Sequence, residues 1–310
     1  MSSKTSDSAL TNQAIDSIAD RLVAVIGKMQ SVAIAFSGGV DSSVVAAAAF
    51  RALPNSSVAV TAVSPSVPAW QREWATRIAA QIGIRHVLVE TDEGDRPEYQ
   101  RNEPDRCFHC KRALYQAIDQ AVAGLAVDLA SQWGADEVQV LSGTNWDDLG
   151  DHRPGIQAGT NAGVRTPLAD LRIEKANVRR LAAYFQLENA DLPASPCLAS
   201  RIAYGTQVTP QRLARIEASE QWLRDQGYRN LRVRLHGDEM ARIEVGEADM
   251  MAIVDPAQRR ALTLKLKDLG FRYVTLDLEG FRSGSLNDAL IQLSPPDARR
   301  PHTSSAKAVH

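Results

Sequence analysis

Between residues 12 and 29, Ile15, Ile18, Leu22, Val25 and Ile26 recur at helical spacing and give one apolar face. Runs rich in apolar residues follow at 32–36, 58–63, 86–90 and 138–141. Each reads as a strand buried on both faces, as in a parallel sheet. Between these runs lie helical patterns. One starts at Val44 and stops before Pro54, one carries Trp70, Trp74, Ile78 and Ile82, and a long one ends near Trp133. Strands alternating with helices at these lengths predict an α/β fold with a doubly wound parallel sheet. From about Thr206 the pattern changes. A helix over 211–226 is followed by alternating strands at 231–235 and 240–245, helices over 247–254 and 256–269, and a strand over 271–278. That order predicts a smaller C-terminal α+β domain. The expected organisation is a disordered N-terminus at 1–11, the α/β domain at 12–205, the small domain at 206–293 and a Pro- and Ser-rich disordered tail at 294–310.

Composition narrows the function. The longest apolar run, Val44 to Phe50, is far short of a bilayer span, and the first residues lack the apolar centre of a signal peptide. A cytoplasmic protein with no membrane partner is expected. Lys and Arg total 35 against 37 Asp and Glu, a net charge of −2, which argues against nucleic acid as the main partner.

In a doubly wound sheet, ligands bind beyond the carboxyl ends of the strands, where the strand order switches. After the first strand stands Ser37-Gly38-Gly39-Val40-Asp41-Ser42-Ser43. Two glycines allow a tight turn and a close approach to a ligand, and the helix mouth that follows favours an anion. No Gly-Lys-Ser/Thr follows, so this is not the common phosphate loop. Its form, SGGxDS with Asp41 at the helix mouth, resembles the PP-loop ATP pyrophosphatases, whose fold is adenine nucleotide alpha hydrolase-like. The resemblance implies that ATP is cut to AMP and pyrophosphate, with Ser37, Gly38, Gly39, Asp41, Ser42 and Ser43 as cofactor-binding residues.

After the fourth strand, the loop from Ser142 to Gly155 holds Asp147, Asp148 and Asp151 within five residues, with Asn145 and Arg153. Such density repels itself unless a cation or an arginine sits between the carboxylates. Mg²⁺ shared by ATP phosphates and Asp41 or this loop is therefore expected. Cys107 and Cys110 form a C-x-x-C pair, and Cys197 lies in an irregular stretch beside Ser200 and Arg201. The pair alone fits a redox dithiol, half of a zinc site or part of an iron–sulfur site, and three thiolates suit a [4Fe–4S] cluster with one open iron.

Together with SGGVDSS, the segments RCFHCK at 106–111, GTNWDDLGDHRPG at 143–155, RTPL at 165–168, CLASRIAYG at 197–205 and RVRLH at 232–236 resemble LarE-type proteins. These are the PP-loop sulfur transferases of nickel-pincer nucleotide cofactor synthesis. The resemblance runs from about residue 12 to 290. It implies a pyridinium dicarboxylate mononucleotide as substrate, adenylylated by ATP and converted to a thiocarboxylate with loss of AMP. It further implies either that Cys197 gives up its own sulfur or that Cys107, Cys110 and Cys197 hold a [4Fe–4S] cluster fed by a sulfide donor. The presence of all three cysteines favours the cluster. Ser200 becomes a hydrogen-bond donor, and Arg201, Arg232 and Arg234 become forks for substrate phosphate or carboxylate. Gly143, Asn145 and Asp148 join the cofactor-binding set, Trp146 and Phe108 are candidates to stack on base or pyridinium, and a homo-oligomer is implied. Three rival readings remain. A PP-loop tRNA thiolase needs an RNA-binding surface that the charge balance does not support. An amide-forming PP-loop synthetase leaves the cysteines without a role, and a non-enzymatic ATP-binding regulator would release no pyrophosphate.

Overall fold

In the computed structural model the described residues are 3–133, 138–150, 154–193 and 196–282. The expected tail at 294–310 lies outside them, as does Asp151 of the acidic loop. The chain divides into two compact units, Met1–Ala218 and Ser219–His310. The division falls inside a helix, whereas the change of sequence pattern put it at 205/206.

The first unit opens with α1 (Ser3–Ile26), β1 (Val32–Ala35), α2 (Val40–Ala52), β2 (Ser57–Val63), α3 (Ala69–Ile82) and β3 (Arg85–Glu90). It continues with α4 (Pro97–Gln100), α5 (Arg106–Trp133), β4 (Gln139–Leu141), α6 (Pro154–Asn161), α7 (Pro167–Asp170) and α8 (Lys175–Tyr184). Helix α1 begins ahead of residue 12, so residues 3–11, expected to be disordered, extend the helix. Once the apolar turns from Ile15 onward are formed, each added residue gains a hydrogen bond without a new nucleation cost.

The four strands are parallel in the order β3-β2-β1-β4. Alternation along each strand supplies two cores. Val32 and Ile34 of β1 and Ala59 of β2 pack with buried residues of α1, α2, α3 and α8, including Leu22, Val45, Ile78 and Leu181. Ala33, Val58, Val60 and Val140 face Tyr115 and Ile118 of α5. The central strands are thus covered on both faces, which is why they read as runs rich in apolar residues. The order switches beside β1, with β2 on one side and β4 on the other, so the loops after β1 and β4 meet at the switch point.

Helix α9 (Pro210–Asp225) crosses the division. The second unit continues with β5 (Leu231–His236), β6 (Met240–Val245), α10 (Met250–Val254), α11 (Pro256–Asp268) and β7 (Tyr273–Leu276). Its sheet order is β5-β6-β7, antiparallel between β5 and β6 and parallel between β6 and β7. A parallel pair needs a crossover, and α10 and α11 provide it.

Candidate active site

At the end of β1 the chain turns through Gly38, whose φ is +71°. A Cβ there would lie 2.7 Å from Ala75 Cα on α3, so both backbone conformation and space demand glycine. Gly39 is the N-cap of α2 and brings no side-chain acceptor, so the first-turn amides are left for a ligand. The hydroxyls organise the turn from within. Ser42 Oγ donates to Gly39 O at 3.0 Å and accepts from Ser37 N at 3.3 Å, while Ser37 Oγ accepts from Gly39 N at 3.3 Å. Ser43, expected to bind the cofactor, is fully buried, and its hydroxyl accepts from Asn189 Nδ2 at 2.8 Å. The same Nδ2 donates to Gly38 O at 2.8 Å. Asn189 therefore braces the loop from below, and Ser43 belongs to that brace. Sequence reasoning missed Asn189, which lies 151 residues from Gly38 in a stretch with no motif around it.

The loop after β4 presses on the same turn. A Cβ on Gly143 would lie 2.6 Å from Ser42 N. Two residues on, Asn145 Nδ2 donates to Asp41 Oδ1 at 3.0 Å. Asn145 Oδ1 accepts from Asp147 N and Asp148 N at 3.0 and 3.3 Å, and Asp148 Oδ2 accepts from Asn145 N at 3.1 Å. Asp147 Oδ2 accepts from Lys175 N at 2.8 Å, and Lys175 Nζ forms an ion pair with Asp41 Oδ2. The loop carboxylates Asp147 and Asp148 are thus answered by backbone amides, and the lysine charge goes to Asp41. Among the described residues, no group of three or more His, Cys, Asp or Glu side chains is placed to hold a metal ion. Trp146 lies under the Arg172 guanidinium at 5.3 Å, and Phe108 packs edge-on to His109 at 5.5 Å.

Cys107 and Cys110 sit on the first turn of α5, and i, i+3 spacing puts both on one helix side. Cys107 is exposed, whereas Cys110 and Cys197 are half-buried. Burial first, and then charge interaction with Cys197, Glu93 and Cys107, pushes the Cys110 thiol up to about 12. The three thiols therefore share one electrostatic neighbourhood. Cys197 caps a short 3₁₀ turn, Leu198–Arg201, that is tied to the loop after β2 by Leu198 N donating to Ser66 O at 2.9 Å. Ser200 Oγ donates to Cys197 O at 2.6 Å. Arg201 is 1% exposed, and its Nη1 reaches Cys197 O and Ser200 Oγ at 2.9 and 3.1 Å, and also Pro196 O. Ser200, expected as a hydrogen-bond donor, and Arg201, expected as a fork for substrate, here clasp the backbone that presents Cys197.

In the second unit, Arg232 and Arg234 stand two apart on β5, as expected. Arg234 is 6% exposed and forks onto Glu244 of β6, its Nε and Nη2 reaching the two carboxylate oxygens at 2.9 and 3.0 Å. Arg242 adds a contact to the same carboxylate at 3.1 Å. The Arg232 guanidinium covers the Phe281 ring at 5.0 Å. A sequence reading gives the two arginines equal standing. The ladder gives Arg234 an internal counter-ion through a diagonal pair.

An SGGxDS loop at the strand-order switch of a parallel sheet, opening into a helix mouth, defines a PP-loop ATP pyrophosphatase. Residues 15–118 match the family described as Asparagine synthase. The chain is 36% identical over 273 residues to the pyridinium-3,5-bisthiocarboxylic acid mononucleotide synthase of Lactiplantibacillus plantarum, covering 87% of this chain and 93% of that protein. It is 40% identical over 276 residues to an uncharacterized protein of Synechocystis, covering 89% and 99%, respectively. An uncharacterized protein of Methanocaldococcus jannaschii is 26% identical over 256 residues, covering 83% and 92%. The chain belongs to the LarE-type sulfur transferases and is an ATP-dependent sulfurtransferase. Among the described residues, no helix is long and apolar enough to cross a membrane.

Proposed function

We propose that the protein adenylylates a carboxylate of pyridinium-3,5-biscarboxylic acid mononucleotide and converts it to a thiocarboxylate in nickel-pincer nucleotide cofactor biosynthesis. The observation that carries this reading is 36% identity across 87% of the chain to a synthase of the corresponding bisthiocarboxylic acid. The residues suit each step. A carboxylate oxygen attacks the α-phosphorus of ATP, and the bond to pyrophosphate breaks. The leaving group takes the electron pair into the amides at the mouth of α2, where the helix dipole favours negative charge. A sulfur nucleophile then attacks the acyl carbon. The C–S bond forms, and AMP leaves with the electrons of its C–O bond.

Mg²⁺ suits a site in which ATP phosphates supply most of the ligands and Asp41 adds one carboxylate. Three thiols in one neighbourhood are the donor type that iron–sulfur clusters take, so Cys107, Cys110 and Cys197 would hold the [4Fe–4S] cluster. When bound, it supplies an iron with no protein ligand, open to sulfide from an external donor. A second reading needs Cys197 alone, on the turn whose backbone Ser200 and Arg201 clasp. In it the Cys197 thiolate attacks the acyl-adenylate and expels AMP. Removal of its Cα proton then breaks the Cβ–S bond, leaving dehydroalanine at 197 and the thiocarboxylate. A homo-oligomer in the cytoplasm completes the proposal.

Anaerobic reconstitution, with iron and sulfide measured in wild type and in Cys107→Ala, Cys110→Ala and Cys197→Ala, tests it. The cluster reading expects iron that each substitution abolishes, and several thiocarboxylates per chain when sulfide is supplied. A single turnover with loss of one sulfur from Cys197 selects the sacrificial route. Failure to release pyrophosphate with the pyridinium substrate overturns the reading itself.

A further inference from the structure

A pair of buried polar side chains that no step above uses lies at the junction of α4 and α5. Asn102 is 0% exposed, with a φ of +59°, a left-handed conformation that asparagine tolerates better than most residues. Its Nδ2 lies 3.2 Å from Ile202 O, 2.8 Å from Ala203 O and 2.9 Å from Thr206 O. Its backbone carbonyl accepts from Gly205 N at 3.2 Å. These three carbonyls can only accept, so the amide nitrogen must face them and the amide oxygen must face away. That oxygen accepts from Nη1 of Arg106, itself buried, and the same Nη1 donates to Ala199 O at 2.8 Å. The Arg106 guanidinium also lies 5.9 Å from the centre of the Tyr204 ring.

Every acceptor reached by these two side chains across the gap falls between residues 199 and 206, directly after Cys197. Arg106 directly precedes Cys107. The pair therefore joins the segment that presents Cys197 to the helical turn that presents Cys107 and Cys110. The phosphate loop is braced by other groups, Asn189 and the hydroxyls of Ser37 and Ser42.

We infer that Asn102 and Arg106 are positioning residues for the sulfur step: they hold Cys197 in register with Cys107 and Cys110 and take no part in adenylylation. The inference rests on the reading that these thiols serve sulfur transfer. Replacing Asn102 by Asp keeps its size but turns a carboxylate oxygen toward three carbonyls, which pushes the Cys197 segment away. Arg106→Met removes the bridge. Arg106→Lys keeps the charge and a nitrogen that can donate twice, but its shorter stem sets that nitrogen back from both acceptors, so it restores only part of the function.

The full chain is assayed three ways. Substrate-dependent pyrophosphate exchange reports adenylylation, thiocarboxylate formation reports transfer, and iodoacetamide labelling of Cys197 in the iron-free protein reports how firmly its segment is held. In Asn102→Asp and Arg106→Met, exchange should stay within about twofold of wild type, and thiocarboxylate formation should fall about tenfold or more. Cys197 labelling should accelerate, and Arg106→Lys should lie between wild type and Arg106→Met. Exchange and transfer falling together with thermal stability would make the pair merely structural and overturn the inference, as would unchanged transfer. If Asn102→Asp does not fold, the ratio of the two rates in Arg106→Lys decides. If wild type itself shows no exchange, the proposed substrate is wrong, and the labelling rates still test whether the pair holds Cys197.

Discussion

Asp41 places a negative charge where α2 is built to receive an anion. An uncompensated carboxylate there would repel phosphate, and Lys175 Nζ supplies the compensation while Asn145 fixes the other oxygen. Both partners are partly open to water, with side chains 36% and 27% exposed, so the pair adds little stability, about 1 kcal/mol at most. Its importance should lie in ligand binding. Lys175→Met is expected to raise the KM for ATP about tenfold, as expected for a lost charge contact, with thermal stability nearly unchanged. Initial rates of pyrophosphate release against ATP concentration measure this, and an unaltered KM would show that Asp41 needs no cationic partner. Lys175 was visible in the sequence only as one residue of a basic helix. Nothing local marks it, because its partner is 134 residues away.

At the scale of elements, close approach and internal pairing decide what may change. Gly143 holds the β4 loop against the first turn of α2, and a methyl group there meets backbone that cannot give way. Gly143→Ala should therefore cost about 1–3 kcal/mol of stability and weaken ATP binding at the same time. Urea unfolding and ATP titration check both, and a variant that binds ATP like wild type would contradict the crowding argument. In the second unit, Glu244 answers both Arg234 and Arg242 within a buried ladder. Glu244→Ala takes this carboxylate from the buried Arg234, while Arg242 keeps Asp277, so destabilisation of roughly 3–5 kcal/mol is expected. Denaturant unfolding followed in that variant reads it directly. Element types and order were legible because their periodicities are local. The start of α1 was not, since helix extension leaves no mark in the pattern.

Across the whole molecule, acid sensitivity follows from two histidines, one in each unit. Burial holds His86 below its ordinary range, and Thr61, whose hydroxyl already donates to Phe36 O, leaves His86 Nε2 to donate at 2.8 Å. Burial, then Arg242 and Arg234, likewise lower His236. A histidine depressed in the folded state contributes stability that is complete above its unfolded value of about 6.5 and is lost as pH falls through the folded value. Melting temperature should therefore drop between about pH 7 and pH 5, and His86→Gln should flatten part of that fall. A drop of equal size in the variant would assign it to other groups. The sequence by itself determined the alternation of strands and helices, the second small sheet, and the phosphate loop, because each is written in neighbouring residues whose spacing carries the physics. Only the tertiary structure decided that Lys175 neutralises Asp41, that Ser43 and Asn189 brace the loop, that Arg201 clasps the Cys197 backbone and that Arg234 is answered by Glu244. Each of these depends on which groups packing brings within hydrogen-bond reach, and that distance has no counterpart along the chain.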